Sequence, residues 1–324
     1  MELIVRPPRH YHVSYDTAEE FEAAILRDMR VAAATANPLI ANGISLATRI
    51  LPRAGLDAGR LLGGRGNAPT TDPERDYFAV MMELDAARAA PWFTRTSRKS
   101  VYMFDAWPAR HAAILKFVAD WGVQYAFVSS RQSAERLAKM SERCTFIWVP
   151  EGIDPSRYQR RSWLERDIEV LQLGRKFDAH HALIAPALER AGKSYVFEHE
   201  KGKIIFAERQ QFIEGLARSR ISICVPSSVT HPERAGDIET MTIRYLQSMA
   251  SKCLVLGHAP EEMIDLFGYN PVVEIDMSNP AGQVLDLLEN YDAYQPLIDK
   301  NYAAVTAEHT WDKRWSRIAA LLLS

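Results

Sequence analysis

The chain has 324 residues, enough for two domains of ordinary size, and its 47% hydrophobic and 25% charged content is that of a soluble globular protein with a core to bury. A net charge of −2 supplies no strong field for nucleic acid, so no nucleic-acid partner is expected. Cys144, Cys224 and Cys253 each fall in apolar runs and read as small buried hydrophobes, and no Cys/His pattern has metal spacing, so no metal is expected.

The first residues, Met1-Glu-Leu-Ile-Val-Arg-Pro-Pro, show no charged-then-apolar leader. Apolar runs nowhere approach the ~20 residues of a membrane helix, and the expectation is a cytoplasmic protein. Residues 33–75 stand apart. An amphipathic stretch at 39–51 leads into a Gly- and Arg-rich segment ending near Gly66. Two packed helices with a surface loop account for this composition. The functional reading of the same segment is a helical excursion lining an acceptor cleft, or touching a membrane periphery through residues 37–66.

Beyond residue 75, strand-like runs alternate with helical patterns, the mark of α/β architecture with parallel sheets. Strands are predicted at 78–82, 100–104, 124–128 and 145–149, with a helix at 130–142 capped by Ser129 or Ser130. The strand at 100–104 ends in Asp105-Ala106-Trp107-Pro108. A carboxylate and an indole at a strand end suit sugar hydroxyls and the apolar face of a sugar ring. Asp105 is equally a cap for a helix opening near Pro108. Val149-Pro-Glu-Gly-Ile-Asp-Pro155 punctuates the chain as a linker does.

The second half repeats the rhythm: strands at 168–173, 195–198, 221–225, 253–256 and 272–275, and helices at 179–191, 209–219 and 240–251. Closing helices are predicted at 280–289, 297–307 and 311–323, with Trp311 and Trp315 on one face as core residues. After the first of these strands come Gly174, Arg175 and Lys176. A strand-end glycine lets backbone approach a ligand, and adjacent cations hold phosphate; a solvated strand end has the same look. The polar segment 227–237 follows the third strand at the sheet's carboxyl edge, where ligands gather. His231 and Glu233 are candidates there for sugar hydroxyls, or plain surface residues.

The most informative segment is 236–257. Ile243, Leu246, Met249 and Ala250 make one apolar helical face, and the helix is predicted to open near 239–241. Free amides and a partial positive charge at such an end favour phosphate. Arg244, one turn in, either reaches back to phosphate or pairs with Glu239 or Asp237.

This segment resembles the donor-binding motif of group 1 glycosyltransferases, which have the GT-B fold. Those enzymes carry two glutamates eight positions apart, the first near the donor sugar and the second on the nucleotide ribose. Glu239 takes the first place and Gln247, a departure, takes the second. Ser248-Met249-Ala250 stands where Ala-Met-Ala is common. Pro150-Glu-Gly-Ile-Asp154 is similar to the element ending the family's first domain, and Gly174-Arg175 matches its diphosphate-contacting pair. The family's following lysine has no match; His180 and His181 stand there.

The resemblance implies two Rossmann-like domains facing across a cleft, residues 1–150 with 306–324 and residues 151–305. It implies transfer of a sugar from a nucleotide-activated donor to a glycan, lipid-linked sugar or small-molecule hydroxyl, with retention, no metal and no cofactor. Glu239 would contact the sugar, Arg175 and Thr240, Met241 and Thr242 the diphosphate, Gln247 the ribose, and Asp105 the acceptor. Gly174, Lys176, His231 and Arg244 complete the donor set. A GT-B epimerase or a non-catalytic two-lobed sugar-binding protein are the competing readings.

Overall fold

The computed structural model describes residues 1–6, 15–34, 38–54, 61, 76–82, 84–93, 97–174, 176–199 and 205–323. Arg175 and most of 55–75 therefore lie outside the described residues, and with them the expected loop at 62–66.

The strands, in chain order, are β1 (Glu2–Ile4), β2 (Ala32–Ala33), β3 (Tyr77–Met81), β4 (Lys99–Met103), β5 (Tyr125–Val128), β6 (Thr145–Trp148), β7 (Ile168–Gln172), β8 (Tyr195–Phe197), β9 (Ser219–Cys224), β10 (Leu254–Gly257) and β11 (Val273–Glu274). The helices are α1 (Asp16–Leu26), α2 (Pro38–Ile50), α3 (Ala86–Phe93), α4 (His111–Trp121), α5 (Arg131–Met140), α6 (Asp178–Arg190), α7 (Arg209–Ala217), α8 (Ile243–Ala250), α9 (Glu261–Phe267), α10 (Pro280–Glu289), α11 (Gln295–Glu308) and α12 (Trp311–Leu322). Among the described residues the strands form two sheets, ordered β2-β1-β3-β4-β5-β6 and β11-β10-β9-β7-β8. Every pairing is parallel. Parallel strands need crossovers, and helices supply them here.

The described chain divides into two compact units. One comprises the described parts of Met1–Arg9, Ala18–Pro150 and Trp315–Ser324, the other those of His10–Thr17 and Glu151–Arg314.

In the first unit every residue of β3 and β4 is buried, because helices cover both faces of a parallel sheet. Ala79, Met81, Val101 and Met103 pack with Ile114, Val118 and Trp121 of α4. Phe78 meets the Trp315 ring edge-on, with centroids 5.6 Å apart, and the Trp315 indole N–H donates to Asp28 at 2.9 Å. Trp311, which belongs to the second unit, is wholly buried. In the second unit Leu171 and Val255 pack with Leu246, Met249 and Ala250 of α8. Val170, Ile221, Leu254 and Leu256 pack with Ile184 and Leu188 of α6 and Val284 of α10. Helices thus flank the second sheet on both sides, the doubly wound arrangement.

The predicted strands lie within a residue or two of those observed, and the three cysteines are free and buried. One boundary needs correcting. The helix expected from residue 240 starts at Ile243, after an extended Thr242 at φ −108°, ψ 162°. Ile238 and Met241 are both buried, a three-residue spacing that lies outside any helix. Elements β1, α1, β2, α3 and α9 were not anticipated; β1 and β2 have three and two residues, too few for a periodicity.

Candidate functional site

Because the second sheet is parallel, the carboxyl ends of its strands open on one side. Leu173 and Gly174 leave β7 there, His258 leaves β10, and Glu274 ends β11. The loop after β9 carries two single helical turns, Ser227–Thr230 and Pro232–Ala235, with a half-buried His231 between them and Glu233 exposed on the second.

Gly174 and Arg244 are brought together. Gly174 adopts φ +68°, and a Cβ on it would lie 2.5 Å from Arg244 Nη2. Arg244 Nη1 donates to the Leu173 carbonyl at 2.8 Å. The guanidinium is therefore laid across the end of β7, which only glycine leaves open. Lys176, two residues on, places its ammonium 5.2 Å from the centre of the Phe197 ring.

The chain leading into α8 is anchored by two carboxylates. Glu262, 2% exposed, accepts from the Met241 amide at 2.8 Å and the Thr240 hydroxyl at 2.6 Å. Glu151 accepts from the Ile243 amide at 2.9 Å. A carboxylate at a helix N-terminus answers both the unpaired N–H and the partial positive charge. Of Thr240, Met241 and Thr242, expected to offer amides to phosphate, Met241 is bonded inside the protein, and so is the Ile243 amide that follows them. Gln247 also differs from its implied place. It is 2% exposed, and its amide donates to the Tyr158 hydroxyl at 2.9 Å. An uncharged amide can be buried on one such bond, whereas a glutamate there would carry a charge into the core.

Glu239 sits at the open edge with its side chain 40% exposed. Its Oε2 is 3.2 Å from His258 Nε2, and His258 Nδ1 is 3.0 Å from Glu274 Oε2. The other Glu274 oxygen accepts from the Ala259 amide at 3.0 Å and Asn270 Nδ2 at 3.1 Å. Burial pulls the His258 pKa down, but the bonds to Glu274 and Glu239 and their charges more than reverse this, leaving it above the ordinary value. Sequence reasoning passed over His258. Its signal was position: a polar residue directly after Gly257, at the carboxyl end of a central strand. Gly257 itself is fixed by contact, since a Cβ on it would lie 1.6 Å from the Cys224 carbonyl oxygen. Among the described residues no group of three His, Cys, Asp or Glu is arranged to hold a metal ion.

Asp105 belongs to the first unit. It takes a left-handed backbone conformation, φ 51°, directly after β4. It lines a small cavity with Met81, Met103, Phe104, Arg110 and Ile114. The helical turn Pro108–Arg110 has Trp107 at its N-cap with no side-chain cap bond, and the Trp107 amide donates to the Asp105 carbonyl at 2.8 Å. A non-glycine residue at positive φ stores about 1–3 kcal/mol of strain, which the surrounding fold must enforce.

No protein-family profile matches the sequence, and no curated protein does. Solved structures do. HepE of Anabaena, determined in complex with UDP and glucose, superposes with a TM-score of 0.57 at 9% identity, covering 99% of this chain and 98% of that one. AviGT4, a glycosyltransferase involved in avilamycin A biosynthesis, gives 0.55 at 14% identity over 99% and 92%. A glycosyltransferase from Rickettsia africae gives 0.54 at 10% over 99% and 97%. Two parallel-sheet units and superposition over the length of these structures give the chain a fold of the GT-B type.

Proposed function

We propose that the protein is a glycosyltransferase that moves a sugar from a nucleotide-activated donor to a hydroxyl acceptor, with retention and without a metal. The observation that carries this is Glu239, a partly exposed carboxylate at the carboxyl edge of the second sheet, in a chain that has the fold of donor-dependent sugar transferases throughout. Arg175 and Lys176, with Arg244 over Gly174, would supply positive charge to a departing diphosphate. Glu239 would bond the sugar and Asp105 the acceptor. A diphosphate reaching the start of α8 meets Glu151 already there. Gln247 would reach a ribose only by releasing Tyr158.

The same reading takes the protein as cytoplasmic, with α2 as the membrane-facing element: Leu39, Leu46 and Ile50 are all exposed on it. Among the described residues no helix is long and apolar enough to cross a membrane.

Incubation of the pure protein with a panel of nucleotide sugars tests the proposal. UDP-glucose comes first, because HepE was seen with UDP and glucose. Slow release of free nucleotide is expected, and Glu239→Ala should abolish it. Donor isomerisation would identify an epimerase, and binding without turnover a receptor.

A further inference from the structure

The row Glu239–His258–Glu274 holds more than a candidate sugar contact. A carboxylate only accepts hydrogen bonds, and an imidazole satisfies one at each nitrogen only when both nitrogens carry protons. His258 has a carboxylate oxygen 3.2 Å from Nε2 and another 3.0 Å from Nδ1. Both contacts therefore require the imidazolium. From this geometry we infer that His258 is the positioning residue for Glu239, its proton fixing the direction of the Glu239 carboxylate. The inference rests on Glu239 serving the reaction proposed above.

The two ends of the row are not equivalent. Glu274 is pinned by the Ala259 amide and Asn270 through its second oxygen, and β11 holds its backbone in the sheet. Glu239 lies outside the sheet, in the segment before α8. Loss of a proton from His258 leaves one N–H, which stays with the anchored Glu274. The Nε2 lone pair then faces Glu239 and repels it. Deprotonation thus takes the His258 bond away from Glu239 and leaves the bond to Glu274 in place.

The charged groups acting on the ring are Glu274 and Glu239. Tyr245, from α8, donates to the His258 carbonyl at 2.7 Å, and burial lifts its own pKa well above the ordinary value, so it stays neutral. Cys224 of β9 accepts from the His258 amide at 3.2 Å through its carbonyl, and its buried thiol is likewise raised. Arg244, adjacent on α8, is turned to the Leu173 carbonyl. The raised His258 pKa agrees with this balance.

Two measurements test the clamp. In the first, histidine ring signals are titrated by NMR in the full chain, with His258 identified by the signal that His258→Asn removes. Its midpoint should lie above the ordinary histidine value and fall in both Glu239→Gln and Glu274→Gln. An unshifted midpoint, or one that neither variant moves, overturns the proposal. In the second, the pH dependence of UDP-glucose turnover is followed. Wild type should lose kcat as pH rises through the His258 midpoint, and Glu274→Gln should bring that loss to lower pH. His258→Asn should lower kcat about 10- to 100-fold, the range for a misplaced catalytic group, with no alkaline limb at that midpoint. A purely structural histidine would leave the limb unmoved in Glu274→Gln, and that result also overturns the clamp. If wild type turns over no nucleotide sugar, the transferase reading fails, and the NMR titration alone decides the clamp.

Discussion

The Arg244 guanidinium occupies the space a side chain would need at Gly174, with Nη2 2.5 Å from the position of an added Cβ. Two elements distant in sequence, the end of β7 and the first turn of α8, are thereby joined through one glycine and one arginine. Gly174→Ala should displace Arg244 and add left-handed strain, costing about 1–3 kcal/mol of stability. A urea midpoint measures the loss. Arg244→Met should relieve the steric part, so the double variant should lose less than the two single losses added together. Strict additivity would show that the two residues do not compete for space.

Glu151 holds the start of α8 through the Ile243 amide. Removing its charge with Glu151→Gln should lower stability by about 0.3–1 kcal/mol, the usual worth of an acid at a helix N-terminus. UDP should bind the variant more tightly than wild type if the diphosphate uses the same helix end, since the competing carboxylate is gone. Isothermal calorimetry reads this directly. Weaker binding would mean that Glu151 helps to hold the donor.

His180 gives a pH prediction with a definite sign. Burial at 0% exposure, assisted by the charge of His181, depresses its pKa to about 4. The unfolded residue titrates near 6.5. Between those values the unfolded chain binds the extra proton, so stability falls as pH drops from 6.5 towards 4. The full effect is roughly 3 kcal/mol at the acid end of that window. Buried His309, also lowered to about 4 by burial and then by Arg314, adds to it in the same direction. His180→Leu should flatten the fall in thermal midpoint between pH 6.5 and 4.5, and an unchanged profile would count against this cause.

Lys99 repeats the same sign at higher pH. It is 0% exposed on β4, its ammonium donates to the Trp121 carbonyl at 3.0 Å, and burial lowers its pKa to about 8. Above pH 8 the folded residue sheds its proton while the unfolded one keeps it up to about 10.4. Stability therefore rises with pH across that interval, and near neutrality the buried charge is a full liability. Lys99→Met should raise the urea midpoint at pH 7, by roughly 1–3 kcal/mol in stability, and the gain should shrink towards pH 10. A loss at pH 7 would show that the Trp121 bond outweighs the burial of charge.

The fold was legible where burial is two-sided. Residues such as Phe78, Val80, Val101 and Tyr102 are all buried because helices cover both sheet faces, and that leaves an unbroken apolar run in the sequence. The strand at β1 was not legible, since three residues beside a Pro-Pro pair carry no period. Within the site, Glu239 and Gly174 could be picked out because a strand end, a glycine and an acid have local signatures. Partners remote in sequence had none. Nothing near Ile243 announces Glu151, 92 positions earlier, and nothing near Thr240 announces Glu262, so the α8 start was expected to be vacant when it is answered from within. Gln247 illustrates the same limit: its residue type fits a ribose, but Tyr158, 89 positions away, settles which way it faces.

The twisted backbone at Asp105 narrows which side chains this position can accept. Asparagine and glycine tolerate such a conformation; valine or isoleucine would force the exit from β4 onto another route. Asp105→Asn is thus a ready-made control. It keeps the shape and the hydrogen-bonding oxygen while deleting the negative charge, so whatever chemistry the carboxylate performs can be separated from the geometry that presents it.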